Sequence, residues 1–212
     1  MNMYKIKISL QSPLGTELMA DTIWGHICYG ILFNEGEDKL KNFLEQYKNN
    51  EPPLILSTPF PENMLPLPKI NFKKKEITTI EEYKNIKIAK KIKYIPADKL
   101  INNNTIELSE LIKEEIKKFN NQNKNEYYFK EAKISKIRNS IDRISGTTKD
   151  DSIFQIVEYW SYKIKDLNHK KEYIYPVFDI YVLSSFNENE ILNLFKMGFN
   201  LGYGADASIG KG

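Results

Sequence analysis

The sequence predicts an α+β chain: a ferredoxin-like (RRM-like) βαββαβ domain carrying a large helical and arm-shaped insertion. Three observations predict it. An alternating apolar segment at the N-terminus runs into an amphipathic helix. A second alternating segment, Tyr175 to Ser185, runs into another helix and then a glycine-rich loop. Between these two strand–helix pairs lies a long middle of different texture. On this reading the 212 residues form one domain, with a core over about 1–57 and 172–212 and an insertion over about 58–171, including a projecting arm over about 127–162. The closing strand of such a unit has no counterpart after the glycine loop, so either a fragment of a longer protein or a sheet lacking one strand is expected.

Each element has its own signal. Tyr4, Ile6, Ile8 and Leu10 alternate with Lys5, Lys7 and Ser9, the pattern of a half-buried strand. Ser12-Pro13-Leu14-Gly15-Thr16 reads as a turn, and Asp21 as the N-cap of the helix that follows. In that helix Ile23, Trp24, Ile27, Cys28, Ile31 and Leu32 make one apolar stripe. Gly25, His26, Tyr29 and Gly30 fall on the other side. Each glycine inside a helix costs ~1 kcal/mol relative to alanine, which calls for close approach of another backbone or a ligand. Glu37 to Lys48 predicts a second amphipathic helix through Leu40, Phe43, Leu44 and Tyr47. Leu54-Ile55-Leu56 predicts a short strand among prolines.

In the middle, Lys73 to Lys93 reads as a solvated helix, Leu108 to Phe119 as another, and Asn120 to Asn125 as a polar linker. Ser152 to Tyr162 alternates as a two-sided strand. Ala132 to Ile144 is ambiguous, because Ile134, Ile137, Ile141 and Ile144 have helical spacing, yet Ser145 to Asp151 reads as the tip of a hairpin. A partly hairpin-like arm is expected, with a helix as its competitor. Asn187 to Glu190 resembles a capping box and opens a helix through Ile191, Leu192, Phe195 and Phe199.

Composition bounds the function. Hydrophobic residues make up 41% of the chain, enough for a globular core. No apolar run approaches the about eighteen residues of a membrane span, and the N-terminus lacks the apolar stretch of a signal peptide. No membrane partner, metal or cofactor is expected. The single Cys28 cannot pair within the chain and fits a reducing cytoplasm. Net charge is only +3, so a nucleic-acid surface must come from local distribution. Of the 31 basic residues only Arg138 and Arg143 are arginine, and they lie within one six-residue stretch. Guanidinium offers a planar bidentate fork that ammonium lacks, which points to phosphate or base recognition. Chance clustering, or an internal pair with Asp142, is the alternative.

Five of the ten glycines fall in the last fifteen residues: Gly198, Gly202, Gly204, Gly210 and Gly212. Such density suits a main chain that takes positive φ or approaches another molecule, with N–H groups free to meet phosphate and Lys211 adding a charge. The spacing is not that of a Walker loop, and no Ser or Thr follows the lysine.

Gly-Tyr-Gly-Ala-Asp-Ala-Ser-Ile-Gly-Lys-Gly at 202–212 resembles the glycine-rich loop of the RAMP superfamily of CRISPR proteins. Ser12 to Thr16 with Ala20 to Cys28, Leu67-Pro68-Lys69, Lys93 to Pro96 and Arg138 to Thr147 are similar to one branch, the type III-A (Csm) subunit that holds the 5′ handle of the guide RNA. The resemblance covers most of the chain. It implies a non-catalytic RNA-binding subunit with a thumb that wedges into RNA. Its partners would be crRNA, the large polymerase-like subunit with its palm domain, and the repeating backbone RAMP subunit. Carried onto this sequence, Gly202, Gly204, Ser208, Gly210 and Lys211 would contact phosphate and sugar. Arg138, Asn139, Ser140 and Arg143 would grip phosphate or a splayed base, Ile141 would be the wedge, and His26, Ser12 and Gly15 would line the same groove. Two other classes remain open. One is a guide-processing endoribonuclease using His26 with Tyr29 or Lys211; the other is a protein–protein adaptor without RNA affinity.

Overall fold

The computed structural model describes residues 1–67, 79–80, 83–84, 87, 90, 92–102, 114, 116, 127–167, 170–200 and 202–205. Helix and antiparallel sheet are mixed, at 32% and 40%. The strands are β1 (Asn2–Ser9), β2 (Leu54–Leu56), β3 (Phe60–Pro61), β4 (Met64–Pro66), β5 (Tyr94–Pro96), β6 (Tyr128–Ile141), β7 (Thr148–Leu167), β8 (Lys170–Ile174) and β9 (Val177–Ser184). The helices are α1 (Ala20–Glu35), α2 (Glu37–Lys48), α3 (Ala97–Asn102) and α4 (Glu188–Phe199). The helix expected over Lys73–Lys93 falls largely outside the described residues. So does the one over Leu108–Phe119, and the linker at Asn120–Asn125 lies wholly outside them.

The central sheet has order β1-β9-β2, every pair antiparallel, with β3 also on β9. Asn2 lies opposite Ser184 and Ser9 opposite Val177. The alternation of β1 places Tyr4, Ile6 and Ile8 across from Val182, Ile180 and Phe178. That face packs against α1, α2 and α4 in a core built on Ile23, Ile27, Ile31, Phe43, Ile191 and Phe195. The opposite face of β9 carries Asp179, which broke its alternation in the sequence. Its carboxylate is buried, accepts from the Asn63 backbone N–H at 2.8 Å, and has Lys5 Nζ at 3.6 Å. A charge taken out of water needs such partners, and here it holds the turn at Asn63, where φ is 58°.

Helix ends show where local signals held. Asn187 caps α4 in a full capping box: its side chain accepts from Glu190 N–H, and the Glu190 carboxylate accepts from Asn187 N–H. Asp21, expected as the N-cap of α1, instead sits in the first turn, where its carboxylate accepts from Thr22 N–H at 2.7 Å. Met19 occupies the cap position without a side-chain bond. A different residue satisfies that helix start: the Tyr203 hydroxyl accepts from Met19 N–H at 3.0 Å.

The ambiguous arm is a strand. β6 and β7 form a long antiparallel hairpin, and β8 adds to the base of β7. β7 extends past the Tyr162 limit expected from alternation, to Leu167. The helical spacing of the isoleucines in β6 has no packing meaning, because Ile134, Ile137 and Ile141 are all exposed.

Candidate functional site

Helices α1 and α4 cross on two glycines. A Cβ on Gly30 would lie 2.8 Å from the Gly198 nitrogen, and one on Gly198 would lie 3.1 Å from the Ile27 nitrogen. This is the close backbone approach that glycines in α1 called for. Gly25 has no such neighbour within 4 Å. The tight crossing delivers the chain leaving α4 directly over the N-terminal half of α1.

The first residues of the glycine-rich loop then close onto the Ser12–Thr16 turn. Gly202 and Gly204 take φ of 89° and 69°, a conformation that favours glycine. Gly202 N–H donates to Phe199 O at 2.9 Å. Gly204 N–H donates to His26 Nε2 at 2.9 Å, and Ala205 N–H to Thr16 Oγ1 at 2.8 Å. A Cβ on Gly15 would meet Ala205 O at 2.4 Å. Tyr203 is the buried anchor: its hydroxyl donates to Glu17 O at 2.8 Å, and its ring centroid lies 5.2 Å from that of His26. Burial pushes the Tyr203 phenol pKa up.

His26 is therefore a latch. Because Nε2 accepts from a backbone N–H, the imidazole is neutral with its proton on Nδ1. Burial lowers its pKa below the ordinary value, opposed by a hydrogen bond with the Gly198 backbone. Its Nε2 lone pair is engaged by the protein itself. The same holds for the N–H groups of Gly202 and Gly204, which sequence reasoning placed against phosphate, and for that of Ala205. Gly15 is packed against Ala205, and the Ser12 hydroxyl donates to Pro13 O at 3.2 Å. Ser208, Gly210 and Lys211 lie outside the described residues.

The arginines stand elsewhere. The turn touches the hairpin through Leu14, which exchanges two backbone hydrogen bonds with Tyr159 of β7, at 3.0 and 2.9 Å. Arg138 pairs with Phe154, five residues further out along β7, or about 17 Å at about 3.3 Å per residue. Asn139, Ser140, Ile141 and Arg143 lie beyond it. Asn139 donates to Thr148 Oγ1 at 3.2 Å, and Ser140 O accepts from Ser152. Asp142, weighed as an arginine partner, is instead committed to the tip turn, where its carboxylate accepts from Ile144 N–H at 2.8 Å. Among the described residues neither arginine has an ion-pair partner.

β6 is a basic strand, with Lys130, Lys133, Lys136 and Arg138 against one carboxylate, Glu131, which Lys93 already pairs at 2.8 Å. The tip is apolar and open: Ile144 is 98% exposed, and Ile137, Ile141 and Ile153 stand clear of any core. The structure thus brings Ser12, Gly15, His26, Gly202 and Gly204 into one junction. It sets Arg138, Asn139, Ser140, Ile141 and Arg143 on a separate projection that shares its root with that junction. Sequence reading placed Thr16 only at the end of a turn and gave Tyr203 no role; the structure makes Thr16 Oγ1 the acceptor for Ala205 N–H and Tyr203 the buried anchor. No helix of the described residues is long and apolar enough to cross a membrane. No family model matches the chain, and no curated protein matches it.

Proposed function

We propose that the chain is a non-catalytic RNA-binding subunit of a type III-A CRISPR effector complex. It would cap the 5′ handle of the crRNA and dock the large polymerase-like subunit and the backbone RAMP subunit. The central sheet order β1-β9-β2, with α1 after β1 and α4 after β9, supports a ferredoxin-like core for that role. The observation that carries the reading is the hairpin. It is a solvated ribbon whose strand β6 is basic, holding both arginines without an ion-pair partner among the described residues and ending in exposed isoleucines. A ribbon that buries so little of itself gains stability from a partner, and its charge fits a polyanion. The latch at His26 and Thr16 acts in this reading as scaffolding: it fixes where the glycine loop leaves the fold.

Anisotropy titration of a labelled guide-RNA handle at two salt concentrations tests this. Phosphate contacts by two arginines predict that Arg138→Ala/Arg143→Ala weakens binding and lowers the slope of log affinity against log salt by about 2. A double variant that binds as tightly as wild type, with an unchanged slope, overturns the assignment. The exposed tip isoleucines favour the adaptor as second reading. It predicts no salt-dependent RNA affinity at all.

A further inference from the structure

We infer that the base of the hairpin carries a second RNA contact, a stacking platform for a base of a single-stranded segment, distinct from the arginines further out. The inference rests on the RNA-binding reading. In β6 and β7 the residues of odd register at the base, Phe129 and Tyr159, pack against the core. Those of even register alternate to the other face: Lys130, Ala132, Ile134, Lys136 and Arg138 on β6, with Trp160 and Tyr162 on β7. Tyr173 of β8, opposite Ile164, joins them. Trp160, Tyr162, Tyr173 and Tyr175, with Ile134 and Ile174, line an open cavity of about 340 Å³. That volume is near the small end of ligand sites, of the order of 300 Å³, and suits one ring system. It is no core remnant, since Tyr173 and Tyr175 are exposed.

The aromatics are held in place. Trp160 Nε1 donates to Glu158 at 3.1 Å, Lys136 pairs with the same carboxylate at 2.7 Å, and Glu158 is 2% exposed. The Lys136 ammonium lies 5.8 Å from the Trp160 ring centroid. Tyr162 and Tyr173 meet edge to face at 5.7 Å. Pre-ordered rings lose little freedom when a base stacks on them. Charge selects the occupant. Lys130 lies directly across from Tyr162, and Arg138 lies further along the same face. Glu158 is neutralised by Lys136. Cations flanking an aromatic cleft match a strand whose bases stack while its phosphates run alongside. A proline-rich peptide also favours aromatic grooves, but it gains nothing from those cations.

The test follows RNA binding in two ways. Short oligo(A) and oligo(U) RNAs are titrated by anisotropy into wild type and Tyr173→Ala/Tyr175→Ala, and by indole fluorescence into Trp24→Phe, which leaves Trp160 as the sole indole. Expected are saturable quenching of Trp160 and about a tenfold or greater loss of affinity in the tyrosine double variant, the scale of one lost stacking contact. RNA binding without quenching, and with the tyrosine variant equal to wild type, overturns the platform while the RNA-binding reading stands. No RNA binding by anisotropy overturns both. Quenching by a proline-rich peptide but not by RNA overturns the platform in favour of a peptide groove.

Discussion

The junction of α1, α4 and the Ser12–Thr16 turn differs from the hairpin in how it uses polar groups. At the junction His26, Thr16, Tyr203, Gly202 and Gly204 all find partners inside the protein. On the hairpin Arg138 and Arg143 have no ion-pair partner among the described residues, and Ile144 touches almost nothing. A residue whose bonds are satisfied internally is accounted for by folding. One left open on a projecting ribbon is accounted for only by something outside the fold. The glycine-rich stretch, the most suggestive segment in the sequence, turns out in its described part to be mainly a packing device. Substitutions should therefore separate the regions, with large stability effects at the junction and small ones on the hairpin.

The largest effect is expected at the helix crossing. Gly30→Val pushes a branched side chain into the Gly198 backbone, and should cost about 3 kcal/mol in urea denaturation, the upper range for overpacking. Gly25→Ala in the same helix meets nothing within 4 Å and should stabilise by about 0.5–1 kcal/mol. Equal and small effects at both positions would show that the crossing is not fixed by Gly30.

The His26 latch comes next. His26→Ala leaves Gly204 N–H without its acceptor and should cost about 1–2 kcal/mol. The same bond makes stability depend on pH. The folded pKa of His26 lies below its unfolded value because burial disfavours the charged ring. Its contribution is therefore complete above the unfolded pKa, about 6.5. It is lost as pH falls below that, toward the folded pKa. Wild type should lose more stability between pH 7.5 and 5.5 than His26→Gln, whose amide oxygen accepts from Gly204 without titrating. Parallel losses in the two proteins would remove His26 from the latch.

These two regions were not equally legible in the sequence. The α1 stripe, the strand at Tyr175–Ser185 and the capping box at Asn187 were readable, because each is a local pattern with one dominant cause. Asn187→Ala should accordingly cost about 1 kcal/mol, as a lost side-chain cap does, with thermal unfolding as the measure. The start of α1 was misread at Asp21 because the acceptor for Met19 N–H, the Tyr203 hydroxyl, comes from 184 residues further along the chain; no local rule could supply it. The hairpin was ambiguous for the opposite reason. Periodicity reports burial, and Ile134, Ile137 and Ile141 are not buried, so their helical spacing carried no information. The pairing of Gly204 with His26 was invisible because glycine density signals permissive backbone without saying what approaches it.

The smallest stability effects belong to the hairpin, and there they are the informative result. Ile144→Asn removes a side chain that is 98% exposed, and Arg138→Ala removes a cation with no ion-pair partner among the described residues. Each should shift stability by less than about 0.5 kcal/mol, the range of surface substitutions away from packing features. If Arg138→Ala nevertheless weakens RNA binding while the melting curve stays in place, the two regions divide cleanly into one that folds the chain and one that the fold presents. Should Arg138→Ala destabilise the protein by as much as His26→Ala, the arginine has a structural role after all. Any loss of RNA affinity in that variant would then be secondary to a disturbed hairpin. Stability and binding therefore have to be measured on the same preparations, with the far-ultraviolet signal of the hairpin variant checked against wild type.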